Sequence, residues 1–128
     1  MLKYSRQRES IQKYLDAHRT HPTAETVYRD LRKEYPNISL GTVYRNLNLL
    51  AEMGEILRIS SGIGPDHFDG NILPHCHFIC TNCGSVLDIE IGFDLNLEDF
   101  AKQNFQGMIA SHVTHFFGLC PECYHNKK

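Results

Sequence analysis

Two Cys-x-x-Cys pairs, Cys80/Cys83 and Cys120/Cys123, constrain this chain more than any other feature. Each pair offers two thiolates on one tight turn, and together they form the four-sulfur set that suits a tetrahedral Zn2+ ion. The 36 residues between the pairs exceed the spacing of a short zinc ribbon, so a helix and strands have to lie between the two turns. A structural zinc so placed ties the end of a small module to its start and supplies folding free energy that a small core lacks. A redox dithiol pair is the rival reading of the same four cysteines. The opening Met1-Leu2-Lys3-Tyr4-Ser5-Arg6 is polar and unlike a signal peptide. No apolar run approaches the ~20 residues of a membrane span. The chain therefore reads as cytoplasmic, without a membrane partner, in a compartment where paired cysteines bind metal or do redox chemistry.

A length of 128 residues suits one domain or two small ones. A domain of about 60 residues buries little apolar surface, so each half needs a metal, a neighbour or a second subunit. Charge separates the halves: residues 1–60 carry ten Lys/Arg against seven Asp/Glu, and residues 61–128 carry three against eight. Six of the eight histidines and all five cysteines lie in the acidic half. A basic half followed by an acidic, His/Cys-rich half suggests a nucleic-acid face joined to a metal-binding face, although such asymmetry also arises as plain solvated surface.

Apolar spacing predicts three helices in the basic half. The first runs from Ser5 to about His18 on Ile11, Tyr14 and Leu15. The second is capped by Thr23, has Glu25 in its first turn, and carries the stripe Ala24, Val27, Tyr28, Leu31 and Tyr35 up to Pro36-Asn37. The third opens at Ser39, buries Leu40, Val43, Leu47 and Leu50, and closes at Gly54. A strand over Glu55–Ser60, a turn over Ser61–Asp66 and a returning strand at His67–Asp69 complete a winged helix-turn-helix. Gly70–Pro74 reads as a linker. Strands near His77–Ile79, Val86–Ile91 and Ala110–Phe117, with a helix over Leu97–Phe105 capped by Asn96, make the remainder a small sheet module. The fold class is α+β: 1–69 a winged-helix DNA-binding domain, 70–74 a hinge, 75–128 a metal-binding domain.

The third helix presents Gly41, Thr42, Arg45, Asn48 and Glu52 opposite its apolar stripe, with Tyr44 on the flank. Recognition helices offer their first turns to base edges in the major groove. Arg45 suits guanine, and Thr42 and Tyr44 suit thymine methyls. Ser39, at the head of that helix, joins the DNA-facing set. Arg6, Arg8, Arg19, Arg29 and Arg58 are placed to reach phosphates. The same polar face also suits a merely solvated amphipathic helix.

His75-Cys76-His77 is a second constellation. On a strand the two imidazoles share one face and Cys76 takes the other, where it suits a small core position. Two such histidines are commonly structural. Here Asp69, Asp88 and His21 can add two carboxylates and a third imidazole, a mixed N/O set suited to Fe2+ or Mn2+.

These residues carry a resemblance. His21-Pro22-Thr23-Ala24, Ser39-Leu40-Gly41-Thr42-Val43-Tyr44-Arg45-Asn46-Leu47, His75-Cys76-His77-x-x-Cys80-x-x-Cys83-Gly84 and Gly118-Leu119-Cys120-x-x-Cys123 follow the order and spacing of the ferric uptake regulator family over nearly the whole chain. Within that family the chain resembles the peroxide-sensing branch. The resemblance implies His21, Asp69, His75, His77 and Asp88 as ligands of a regulatory Fe2+ or Mn2+, beside structural Zn2+ on Cys80, Cys83, Cys120 and Cys123. Iron-sensing members usually carry Glu where Asp88 stands, and zinc-sensing members often carry Cys where Asp69 stands. A further metal site of many iron sensors uses residues matching Pro74 and Cys76, which cannot serve in that way here. His112, without an evident partner, reads as structural. The chain starts closer to its first helix than family members usually do, so altered DNA affinity is expected.

The resemblance also implies a homodimer, joined through the metal-binding domain, on double-stranded operator DNA. The implied function is a metal-dependent transcriptional repressor, not an enzyme. Hydrogen peroxide is sensed when iron-catalysed oxidation damages a ligand, His21 or His75, and releases DNA. An iron- or zinc-responsive repressor is the alternative within the family. A thiol-based zinc module is the alternative outside it, while a hydrolase built on His75 and His77 lacks a general base.

Overall fold

Side-chain caps start the first three helices of the computed structural model, which describes residues 5–60, 62, 64–73, 75–91 and 95–126. Ser5 accepts from the Arg8 amide at 3.2 Å and opens α1 (Arg6–Ala17). Thr23 accepts from the Thr26 amide at 3.3 Å and opens α2 (Ala24–Leu31). Ser39 accepts from the Thr42 amide at 3.1 Å and opens α3 (Leu40–Glu52). Each cap satisfies a donor that a bare helix start leaves orphaned.

Two of these helices end where backbone chemistry requires. α2 stops at Leu31, earlier than the stripe through Tyr35 predicts, and Pro36, which disfavours helical geometry at Tyr35, keeps the chain from resuming the helix. The chain leaves through a turn in which the Tyr35 amide reaches the Leu31 carbonyl at 2.8 Å, and Tyr35 still packs on the core. α3 closes in a Schellman arrangement: the Glu55 amide bonds the Leu50 carbonyl and the Gly54 amide bonds that of Ala51. Gly54 makes this possible with φ of 75°, a conformation that a side chain would strain. Because Glu55 serves this cap, β1 is confined to Leu57–Ile59.

The chain divides into two compact units, Met1–Ile72 and Leu73–Lys128. In the first, Ile11 and Leu15 of α1, Val27 and Leu31 of α2, and Val43, Leu47 and Leu50 of α3 meet around Ile56 and Phe68. Each fully buried side chain of this size contributes about 1.5–3 kcal/mol. β1 pairs antiparallel with β2 (His67–Asp69), with Leu57 opposite Asp69 and Ile59 opposite His67. Ser61 and Ile63 of the expected turn, Pro74 of the expected linker and Met1–Tyr4 lie outside the described residues.

The second unit is a three-stranded sheet of order β4-β3-β5. β3 (Cys76–Cys80) lies in the middle, antiparallel to β4 (Val86–Ile89) and parallel to β5 (Thr114–Gly118). The parallel pairing needs a long crossover, and β4 with α4 (Leu95–Gln103) supplies it. α4 starts earlier than expected, so Asn96 lies inside the helix rather than capping it. Sequence periodicity also missed a short helix, α5 (Pro121–His125), capped by the Cys120 sulfur. Among the described residues no helix is long and apolar enough to cross a membrane.

Candidate metal centres and nucleic-acid face

The sheet register of the second unit carries Cys80 and Cys120 to one end, since Cys80 pairs with Gly118 two residues before Cys120. The four sulfurs of Cys80, Cys83, Cys120 and Cys123 all lie within 4.8 Å of one another. Cys83 and Cys120 are 3.8 Å apart, too far for a disulfide, and tetrahedral Zn–S bonds of about 2.3 Å separate sulfurs by about that distance. The donor set fits a zinc ion. Gly84, at φ of 78°, lets the first turn close so that its amide bonds the Cys80 carbonyl at 2.9 Å.

Main-chain amides favour thiolate in this site. The Cys83 and Cys120 amides each approach the Cys80 sulfur at 3.4 Å, and chiefly the first of these lowers the Cys80 thiol to about 6. The Ser85 hydroxyl, 2.9 Å from the Cys83 sulfur, is the main cause that lowers Cys83. At Cys123 the Asn82 amide favours the thiolate, but the neighbouring sulfurs of Cys120, Cys80 and Cys83, together with burial, push the thiol up to about 12. Four sulfurs this close therefore call for a cation to be thiolates together. Asn82 and Ser85 escaped sequence reading because nothing in the spacing of the knuckles marks which neighbours turn back onto sulfur.

The histidine and aspartate residues fall into two sets, one in each unit. In the first unit, His21 Nε2 lies 3.2 Å from Asp69 Oδ2, and both side chains are buried. His21 adopts φ of 55°, the one positive φ outside glycine among the described residues. That left-handed geometry costs roughly 1–2 kcal/mol for a residue with a Cβ. In the second unit, Asp88 Oδ1 is shared by His75 Nε2 at 3.3 Å and His77 Nε2 at 3.6 Å. β3 begins at Cys76, so His75 stands just before the strand rather than within it, with its ring 4.2 Å from that of His77. Cys76 is buried, as its position on the opposite face requires. Imidazole nitrogens around carboxylate oxygens fit a divalent ion of the Fe2+ or Mn2+ type.

Two further histidines have roles the sequence did not disclose. His115 sits opposite His77 across the β3–β5 pairing, and burial, with His77 second, lowers its pKa. His112, expected to lack a partner, instead bonds Glu98 of α4 at 2.7 Å and holds that carboxyl below its usual value. The contact spans 14 residues between a helix and a strand approach, a closure no local pattern signals.

On α3, Tyr44, Arg45 and Asn48 are exposed while Asn46 is buried, its amide bonded to the Thr42 carbonyl. Ser39 caps the helix and also donates to Thr42 Oγ1 at 2.9 Å, and Arg45 reaches the same oxygen at 3.4 Å. Arg58 of β1 donates to Asn48 Oδ1 at 2.7 Å, which draws the wing strand's cation to the exposed side of α3.

Known proteins match this arrangement. The peroxide-responsive repressor PerR of Staphylococcus aureus (strain USA300) is 33% identical over 117 residues, which are 91% of this chain and 79% of that protein. A Campylobacter jejuni peroxide stress regulator superposes with TM-score 0.75 at 30% identity, covering 91% of this chain and 88% of the other. The Helicobacter pylori ferric uptake regulator Fur, whose structure is described as having three functional metal binding sites, superposes with TM-score 0.80 at 26% identity, over 99% of this chain and 85% of that one. Residues 1–116 match the ferric uptake regulator family, and the chain belongs to that family of transcriptional regulators, which are not enzymes.

Proposed function

We propose that this regulator is a repressor that senses hydrogen peroxide through oxidation of a histidine at its regulatory metal. The observation that carries the reading is the donor set: His21 with Asp69 in one unit, and Asp88 shared between His75 and His77 in the other. Aspartates at both carboxylate positions follow the peroxide-sensing pattern, and two peroxide regulators are among the similar proteins at 30% identity or more. One Fe2+ or Mn2+ bound by all five residues favours the state that holds operator DNA, because an ion shifts a conformational equilibrium only by its differential affinity for the two states. Zn2+ on the four cysteines is the structural partner of this switch.

His21, Asp69, His75, His77 and Asp88 would hold the ion, and Fe2+ bound there would supply the chemistry that activates hydrogen peroxide. Peroxide would be the two-electron oxidant and the imidazole carbon of His21 or His75 the group oxidised: one peroxide oxygen would be inserted at its C–H bond and the other would leave as water. The altered ring would be a poorer ligand, so the five-residue set would lose affinity for the ion and the regulator its hold on DNA. Mn2+ on the same residues would not activate peroxide in this way.

Operator contact is assigned to Ser39, Thr42, Tyr44 and Arg45 on α3, in a cytoplasmic homodimer. The second unit supports the dimer. Its edge strand β5 and its helix α4 expose Phe116, Phe117, Leu97 and Phe100, more apolar surface than a small solitary module usually leaves bare. The test is operator binding by the Fe2+ and Mn2+ forms before and after peroxide, with peptide mapping. The expected result is loss of binding by the Fe2+ form alone, with one added oxygen on His21 or His75. Retained binding with unmodified histidines favours an iron- or zinc-responsive repressor, and cysteine oxidation with zinc loss before any histidine change favours a thiol switch.

A further inference from the structure

β2 is only three residues long, yet each residue meets a different demand. Phe68, in the middle, is buried in the core of the first unit. His67 and Asp69 flank it and leave the strand on its other face. Asp69 reaches the His21 ring, with Oδ2 3.2 Å from Nε2. His67 reaches the His21 main chain: its Nδ1 is 2.6 Å from the His21 carbonyl oxygen. A carbonyl only accepts, so His67 Nδ1 carries the proton and donates. Two further main-chain links fasten the same segment, the Phe68 amide to the Pro22 carbonyl at 2.9 Å and an isolated bridge between Thr23 and His67.

His21 is also the residue held at φ of 55°. A residue with a Cβ leaves the left-handed region unless its surroundings hold it there. A side-chain hydrogen bond to that strained peptide comes from His67, two positions from one proposed ligand and bonded to the backbone of another.

We propose that His67 is a positioning residue for the regulatory metal: it locks the His21 backbone in the geometry that sets the His21 ring beside Asp69. The proposal rests on the reading of His21 and Asp69 as regulatory ligands. Without the His67 hydrogen bond, His21 relaxes towards the extended region, and an incoming ion has to restore the strained form at the expense of its own binding. An outer hydrogen bond that orients a ligand commonly changes metal affinity tenfold or more.

The experiment is Mn2+ titration of the zinc-loaded full chain by calorimetry, for wild type, His67→Ala, His67→Asn and Asp69→Ala. Asparagine places an amide N–H close to where the imidazole Nδ1–H lies, so it serves as the conservative rescue. The expected result is Mn2+ binding weakened about tenfold in His67→Ala and restored to within about twofold of wild type in His67→Asn, with helical circular dichroism and zinc content unchanged in both. Wild-type affinity in His67→Ala, or affinity in His67→Asn as weak as in His67→Ala, overturns the proposal and leaves the ligand assignment standing. Wild-type affinity in Asp69→Ala overturns the ligand assignment itself, and the role of His67 with it.

Discussion

Tyr14 shows how much one hydroxyl can set for the first unit. Its Oη donates to Asp30 Oδ2 at 2.5 Å, and its ring stacks on that of His18 with centroids 4.0 Å apart. Burial, then the Asp30 carboxylate, push the phenol from 10.0 to about 12. A group whose folded value lies above its unfolded one adds stability that is fully present below the unfolded value and lost as pH rises through the folded one. The window is therefore from 10.0 to about 12. Tyr14→Phe is expected to lower stability to urea by about 1 kcal/mol at pH near 8, with the gap closing across that window. In an ultraviolet titration one of the six tyrosines should ionise last, and Tyr14→Phe should remove that step. Unchanged urea resistance at neutral pH, or no late tyrosine, contradicts the assignment. None of this was legible in the sequence, where Tyr14 reads as one more residue of an apolar stripe. The partner that decides its chemistry lies 16 residues away on another helix.

Elements were far more legible than residue pairs, because period and punctuation act locally. The caps Thr23 and Ser39 and the stop at Gly54 could be placed from sequence, and so could the returning strand His67–Asp69, whereas Ser5 read only as the start of the first helix. The cysteine cluster was legible for a different reason, namely that two Cys-x-x-Cys turns supply in pairs the four sulfurs a tetrahedral ion takes. What spacing could not supply was α5, too short for a periodic signal and capped by a sulfur instead of an oxygen. That helix leads to a prediction at its own scale. Cys120 Sγ accepts the Cys123 amide at 3.4 Å while its own amide points at Cys80 Sγ, so one residue caps α5 and joins the two knuckles. Cys120→Ser, or removal of zinc by a strong chelator, is expected to speed amide hydrogen exchange throughout β3, β5 and α5 while α1–α3 keep their protection. Equal protection of β5 with and without zinc would refute a structural role for the metal.

At the scale of the whole molecule, the two units are stabilised by different means. The first has a continuous apolar core. Among its described residues the second buries little beyond Ile79, Val86, His77, Cys76, Cys80 and Cys120, and in the single chain leaves Phe100 64% and Phe117 59% exposed. A charge at either position should therefore damage assembly more than folding: Phe100→Asp and Phe117→Asp are expected to halve the mass in analytical ultracentrifugation at unchanged zinc content. A dimer that survives both substitutions, or a monomeric wild type, removes the second unit from the interface. The parallel pairing of β3 with β5 has a consequence in time as well. Its partners are nearly forty residues apart, as in the pairing of Cys76 with Thr114, whereas the helices of the first unit are built from contacts within a few residues. Chains that depend on distant pairings search longer before any contact rewards the search. The two units thus run on separate clocks: the helices of the first form at the speed of local contacts, while the sheet of the second waits on a distant closure that an ion on its four cysteines would hold once made.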